Sequence, residues 1–113
     1  MKEPIAWQDF EKVDMHIGTI IEVDDFPEAK NPAYKVTVDF GKEIGKKKSS
    51  AQITKLYKKE DLLGKQVICV VNFPPKQIAN FFSECLIMGV VGKEKEITLL
   101  QPERKVENGL RIG

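Results

Sequence analysis

A single histidine, His16, and two cysteines, Cys69 and Cys85, are the only imidazole and thiol groups in this chain. The cysteines stand inside apolar runs with no Cys-x-x-Cys spacing, so they read as small core residues rather than as a disulfide or a ligand pair. His16 falls on the polar side of an alternating segment, and spacing singles out no serine or cysteine beside it as a nucleophile, so it reads as a surface histidine. No phosphate-cradling glycine loop, paired-carboxylate motif or metal-ligand spacing occurs. The chain is therefore not expected to be an enzyme, and no cofactor or metal is implied. Long apolar runs are missing too. Val67 to Val71 and Cys85 to Val91 are the longest, far short of the roughly 20 residues that cross a bilayer. The first residues mix acids with apolar side chains and lack the continuous apolar core of a secretory leader. A cytoplasmic protein without membrane insertion is the expectation.

What is present fits one folded domain: 113 residues, 42% hydrophobic and 31% charged, enough to bury a real core. The net charge of +1 hides a local imbalance. Residues 1–41 carry four lysines and nine acids, whereas residues 42–65 carry eight lysines and three acids. That basic stretch either follows a phosphate backbone or keeps a surface solvated.

Trp7, Phe10 and Val13 are spaced as one side of a short helix, expected to pack as a lid or plug. From residue 13 the period becomes two, with Val13, Met15, Ile17, Thr19, Ile21 and Val23 on the apolar side of a half-buried strand. Gly18 within it marks a bulge or a sharp bend. Tyr34, Val36, Val38 and Phe40 give a second strand, and Ile44 to Gln52 a third. Residues 53–64 read as helical or irregular and stop at Gly64, with a connecting helix between the third and fourth strands expected. Gln66 to Phe73 and Glu84 to Val91 are two apolar strands on either side of a turn at 74–80, and Ile97 to Leu100 is a shorter one. Five core strands with a helix after the third suit an all-β, five-stranded Greek-key barrel of the OB type, although an SH3-like barrel or an open antiparallel sheet gives the same pattern. Val67 to Val71 and Leu86 to Met88 do not alternate, so both of their faces need cover. Either a second copy of the chain or a terminal helix across the barrel supplies it.

Asp14-Met15-His16-Ile17-Gly18-Thr19-Ile20 resembles the Asp-x-Arg-x-Gly-x-Ile opening of tRNA-binding OB domains. Phe26-Pro27-Glu28-Ala29 is similar to the His-Pro-x-Ala of that family. Val70 to Ile78 is similar to its Val-Asn-Leu-x-Pro-Arg-Lys-Met block, and Ser83-Glu84-Cys85-Leu86 to its Ser-Glu-Gly-Met. Asp39 to Gly45, Ser49 to Thr54, Asn72 to Pro75 and Asn108 to Gly113 resemble the CsaA-type export chaperones within it. His16, Asn80 and Cys85-Leu86 depart from the usual Arg, Gly and Gly-Met. The resemblance implies a homodimer of OB barrels, each a single domain over residues 1–113. Residues 1–13 would form an N-terminal helix and residues 102–113 a C-terminal dimerisation segment. It also implies two kinds of ligand. CsaA-type proteins bind unfolded precursor proteins and the export motor ATPase, while appended relatives bind tRNA.

Two sets of candidate residues follow. For nucleic acid they are Lys46, Lys47, Lys48, Ser49, Ser50, Lys55, Asn72, Lys76 and Ser83, whose lysines would meet phosphates and whose hydroxyl and amide groups would meet backbone or base edges. That stretch offers only Tyr57 for stacking, which favours recognition of tRNA shape over single strands. For unfolded polypeptide they are Phe73, Pro74, Pro75, Ile78, Phe81 and Phe82, an apolar cluster in and beside one loop. The competing role for Phe73 and Ile78 is to seal the barrel end or a dimer. Adjacent Phe81 and Phe82 cannot both point inward from a regular strand, so one of them is left for a ligand.

Overall fold

The computed structural model describes residues 1–113. Its longest element, β1 (Met15–Asp25), is shared between two neighbours. The first half pairs antiparallel with β4 (Gln66–Val70), from Met15 opposite Val70 to Thr19 opposite Gln66. The second half pairs with β2 (Tyr34–Asp39), and β2 pairs with β3 (Lys46–Ala51). With β7 (Leu86–Ile87) beside β4, the five-stranded sheet runs β3-β2-β1-β4-β7 and curls into a nearly closed barrel. This is the expected OB-type barrel, all-β with two short helices. Two hairpins extend from it: β5 (Lys76–Ile78) with β6 (Phe81–Ser83), and β8 (Gly89–Val91) with β9 (Ile97–Leu99).

Partners opposed in an antiparallel ladder point to the same face. Gly18 opposes Val67, which belongs to the core cluster with Ile20, Val36, Val38, Phe40, Leu62 and Cys69. Up to Ile20 the even positions of β1 therefore face the barrel interior, contrary to the expected odd ones, whereas past the bulge the odd position Val23, opposite Val36, packs on the core as expected. Met15 and Ile17 are buried on the opposite face, as is Val70 across from Met15. Because both faces of β1 are apolar, alternation alone could not fix which one is inside. The bulge is not at Gly18 either; the register slips between Ile20 and Glu22. Gly18 is required by packing, since a Cβ there would overlap Cγ1 of Val38 and lie 2.8 Å from Cδ1 of Phe40.

Only Lys59–Leu62 (α2) of the expected 53–64 helix is helical. Lys58 N–H donates to the Asp61 carboxylate at 2.9 Å, Leu62 is fully buried in the core, and Gly64 stops the chain at φ +85°. The N-terminal helix is shorter than expected as well. It spans Trp7–Glu11 (α1) and buries none of its residues, with Trp7 67% exposed, so it is not a lid. What flanks the start of β1 is the C-terminus: Gly109 N–H donates to Ile17 O at 2.7 Å, Ile17 N–H to Leu110 O at 3.0 Å and Ile112 N–H to Met15 O at 2.9 Å. His16 joins the same contact, one ring nitrogen 2.8 Å from Gly109 O and the other 2.6 Å from the Asp14 carboxylate. The chain thus covers part of its own apolar strands, while Leu86 stays 49% exposed.

Candidate functional site

Strand alternation divides the basic run. In β3 the residues Lys47, Ser49 and Ala51 share one face, and Lys46, Lys48 and Ser50 the other. Ser49 is 1% exposed and its hydroxyl donates weakly to Ser50 O at 3.5 Å, which leaves it no surface for a ligand. Lys46 and Lys48 are exposed. The outer edge of β3 is closed by the segment between β6 and β7. Lys48 N–H donates to the Glu84 carboxylate at 2.9 Å, Glu84 N–H to Lys48 O at 2.7 Å, and Ser50 N–H to the Ser83 hydroxyl at 3.0 Å. Ser83 and Ser50 are therefore brought together, with the Ser83 oxygen already accepting one bond.

Two other candidates for nucleic acid are occupied within the chain. The Asn72 amide donates to Lys12 O at 2.7 Å and accepts Asp14 N–H at 3.0 Å. Lys55 donates its ammonium to Glu94 O in the turn between β8 and β9. Lys76 remains exposed, directly opposite Ser83 in the β5–β6 ladder.

That ladder also sorts the aromatic pair. Ile78 opposes Phe81, and Gln77 opposes Phe82. Lys76, Ile78, Phe81 and Ser83 thus share the inner face of the hairpin, while Phe82 points outward, 55% exposed. Phe81 stacks on buried Phe26 with ring centroids 5.3 Å apart, and the Lys35 ammonium sits 5.0 Å from the Phe26 centroid. Under the hairpin lies an open groove of about 500 Å³ lined by Phe73, Pro74, Ile78, Leu86, Lys76 and Glu84, with Ser50, Gln52, Ser83 and Cys85 completing it. The structure thus gathers Phe73, Pro74 and Ile78 with Ser50, Lys76 and Ser83, and leaves Pro75, Phe81 and Phe82 outside the lining. Leu86, Gln52 and Glu84 were missed because they come from separate segments. The one available signal for them was the uncovered apolar run around Leu86.

Cys69 and Cys85 are free and buried in the core. A hydrogen bond to Cys85, together with burial, holds Cys69 as a thiol well above the ordinary range. No group of three or more His, Cys, Asp or Glu side chains is placed to hold a metal ion, and no helix is long and apolar enough to cross a membrane.

Residues 15–111 match the family model described as a putative tRNA binding domain. The methionine–tRNA ligase of Pyrococcus horikoshii is 37% identical over 110 residues, covering 97% of this chain and 15% of the ligase. That of Thermococcus kodakarensis is 36% identical over 110 residues, 97% of this chain and 14% of the ligase. The chain thus spans about 15% of the length of the curated relatives it matches. Among solved structures, the CsaA chaperone protein from Picrophilus torridus is similar with a TM-score of 0.92 and 51% identity, covering 97% of this chain and 100% of that one. Chaperone CsaA from Bacillus anthracis str. Ames gives 0.93 and 46%, covering 98% and 100%. A MetRS related protein from Pyrococcus horikoshii gives 0.87 and 25%, covering 99% and 100%.

Proposed function

Since the chain belongs to the family of putative tRNA-binding domains, we propose that it is a binding module whose ligand is unfolded polypeptide, a CsaA-type chaperone for precursor proteins in export. The observation that carries this reading is the groove under the β5–β6 hairpin. Phe73, Pro74, Ile78 and Leu86 give it apolar walls, and Ser50, Gln52 and Ser83 a polar rim. A shallow apolar cleft with a few polar groups accepts exposed apolar segments with loose sequence demands. The likeness to CsaA proteins over nearly all of both chains supports the same reading. The ligase relatives match over a small part of their length, so their activity is not carried over.

In this reading the chain works as a cytoplasmic homodimer that passes precursors to the export motor ATPase. Ile5, Trp7, Val13 and Leu110, from the two ends of the chain, are each exposed apolar side chains, surface of the kind a second copy covers, with residues 102–113 contributing.

A second reading, tRNA binding, is favoured by Lys46 and Lys48 exposed on one face of β3 and by Lys76 at the groove. Salt separates the two. Fluorescence titration with a reduced, unfolded polypeptide should give an affinity that changes little as salt rises, because apolar burial dominates. tRNA binding should fall steeply as counterion release loses its advantage. A protein that binds tRNA in this salt-dependent way and no polypeptide at all would overturn the first reading in favour of the second.

A further inference from the structure

Next to the groove, the seam between β3 and the continuous β7–β8 segment leaves a strand edge without partners. Met88 N–H donates to Ile68 O at 2.9 Å, Leu100 N–H to Met88 O at 3.2 Å, and Gly92 N–H to Glu96 O at 2.8 Å. Alternate residues of an antiparallel strand turn their backbone groups to opposite sides. Leu86, Met88, Val90 and Gly92 therefore face β4 and β9, while Ile87, Gly89 and Val91 turn their N–H and C=O groups the other way, toward β3. At Ile87 the β3 strand already lies against β7 across the closing seam, whereas Gly89 and Val91 have no strand beside them on that side.

The opposite bank is β3. Its outward residues alternate in the same manner, and two of them are closed: Lys48 by Glu84, and Ser50 by Ser83. The next in that row, Gln52, has no backbone hydrogen bond through either its N–H or its C=O. Between the banks lies an open concavity of about 610 Å³, lined by Ala51, Ile53, Ile87, Val91 and Ile97 among others, with Lys95 as its only charged residue. It shares Ser50, Gln52 and Leu86 with the groove under the hairpin, so the two form one continuous surface.

An occupant of this place must offer regularly spaced donors and acceptors together with apolar groups, and it must need almost no positive charge. A nucleic acid fails the last condition, since phosphate contacts dominate its binding. An extended polypeptide meets all of them. We propose that an unfolded segment binds here as an added β-strand on the Gly89–Val91 edge, its backbone paired with theirs and its alternate apolar side chains seated between Ile53 and Ile97. This is strand addition to an exposed sheet edge, in which main-chain bonds supply affinity without reading sequence. This binding mode rests on the polypeptide reading given under Proposed function.

The test uses the full chain, isotope-labelled, and an eight-residue peptide of alternating valine and threonine with a fluorescent lysine at one end. Peptide binding should protect the amides of Gly89 and Val91 from hydrogen exchange. Methylating every second amide nitrogen of the peptide, in one of the two alternating sets, should weaken binding about tenfold or more, while the other set changes it little, because only one set faces the edge. If the peptide binds yet these amides stay unprotected, or both methylated series bind alike, strand addition is overturned while the polypeptide reading stands. If no peptide binds, that reading fails and strand addition fails with it. If the amides are already protected without peptide, increasingly so as protein concentration rises, a second copy occupies the edge and the proposal is overturned.

Discussion

Asn72, at the end of the β4 segment, holds Lys12, just ahead of β1, by donating its side-chain amide to the Lys12 carbonyl at 2.7 Å. The other end of the same amide accepts Asp14 N–H at 3.0 Å, so one side chain fixes the junction between α1 and the barrel. Asn72→Ala should cost about 1–2 kcal/mol through two lost bonds. Urea unfolding measures the cost, and limited proteolysis should show residues 7–13 released first. Unchanged stability with weakened tRNA binding would instead make Asn72 a ligand contact.

Gly18 and Phe40 set a second prediction. With Cδ1 of Phe40 only 2.8 Å from the place a Cβ would take, Gly18→Ala forces a fully buried ring to move. Overpacking of this kind costs about 1–3 kcal/mol. The same Cβ would run into Cγ1 of Val38 as well, so thermal double-mutant cycles of Gly18→Ala with Val38→Ala and with Phe40→Leu should each show coupling. Additive losses in both cycles would mean that Gly18 is needed for its backbone and not for the space it leaves.

Much of this fold was legible in the residues themselves. Tyr34, Val36, Val38 and Phe40 alternate with polar neighbours, and β2 is where they place it. The phase of β1 was not legible, because Ile17, Ile20 and Ile21 are apolar on both faces and only the bulge near Ile21 decides which side enters the core. Met88 was hidden in the same way: one apolar run covers β7 and β8, and nothing local shows the chain passing from β4 to β9 there. Lys46 to Ser50 read as a single polar block, yet a strand sends every second side chain to the other face and so buries Ser49. The Phe73, Pro74 and Ile78 part of the groove followed from one loop. Gln52 and Leu86 join it only through closure of the barrel, which no single segment reveals.

Cys69 makes stability depend on pH. Its thiol is raised above the ordinary value of 9.0 by the hydrogen bond to Cys85 and by burial. The unfolded chain therefore loses this proton at a lower pH than the folded one. The stabilisation is complete below about pH 9 and declines as pH rises beyond it, by about 1.4 kcal/mol per unit. Cys85 shares that hydrogen bond and is shifted downward by it, so the double variant Cys69→Ala, Cys85→Ala is what removes this term without altering a remaining thiol. Its stability deficit against the parent, measured by urea unfolding, should narrow as pH rises from about 9 to about 10. A constant deficit would show that Cys69 ionises equally in both states.

Leu86 and Ile87 are neighbours in one apolar run, which alone would make aspartate at either position disruptive. The structure separates them: Ile87 is 9% exposed in the barrel core, while Leu86 is 49% exposed at the groove. Ile87→Asp should unfold the domain or cost upwards of about 3 kcal/mol, because an unpaired charge enters the core. Leu86→Asp should leave circular dichroism unchanged and cost less than about 1 kcal/mol in a monomer. It should still lower affinity for unfolded polypeptide at least tenfold, by charging an apolar wall of the site. The double variant Lys46→Glu, Lys48→Glu, at two exposed lysines outside the groove lining, should do the opposite, sparing polypeptide and weakening tRNA with a flatter salt dependence. Phe82→Ser, on the outer face of the hairpin, should leave polypeptide binding unchanged. Should Leu86→Asp instead unfold the protein, or convert a dimer in sedimentation into a monomer, then a second copy covers Leu86 and the polypeptide site must lie elsewhere on the barrel.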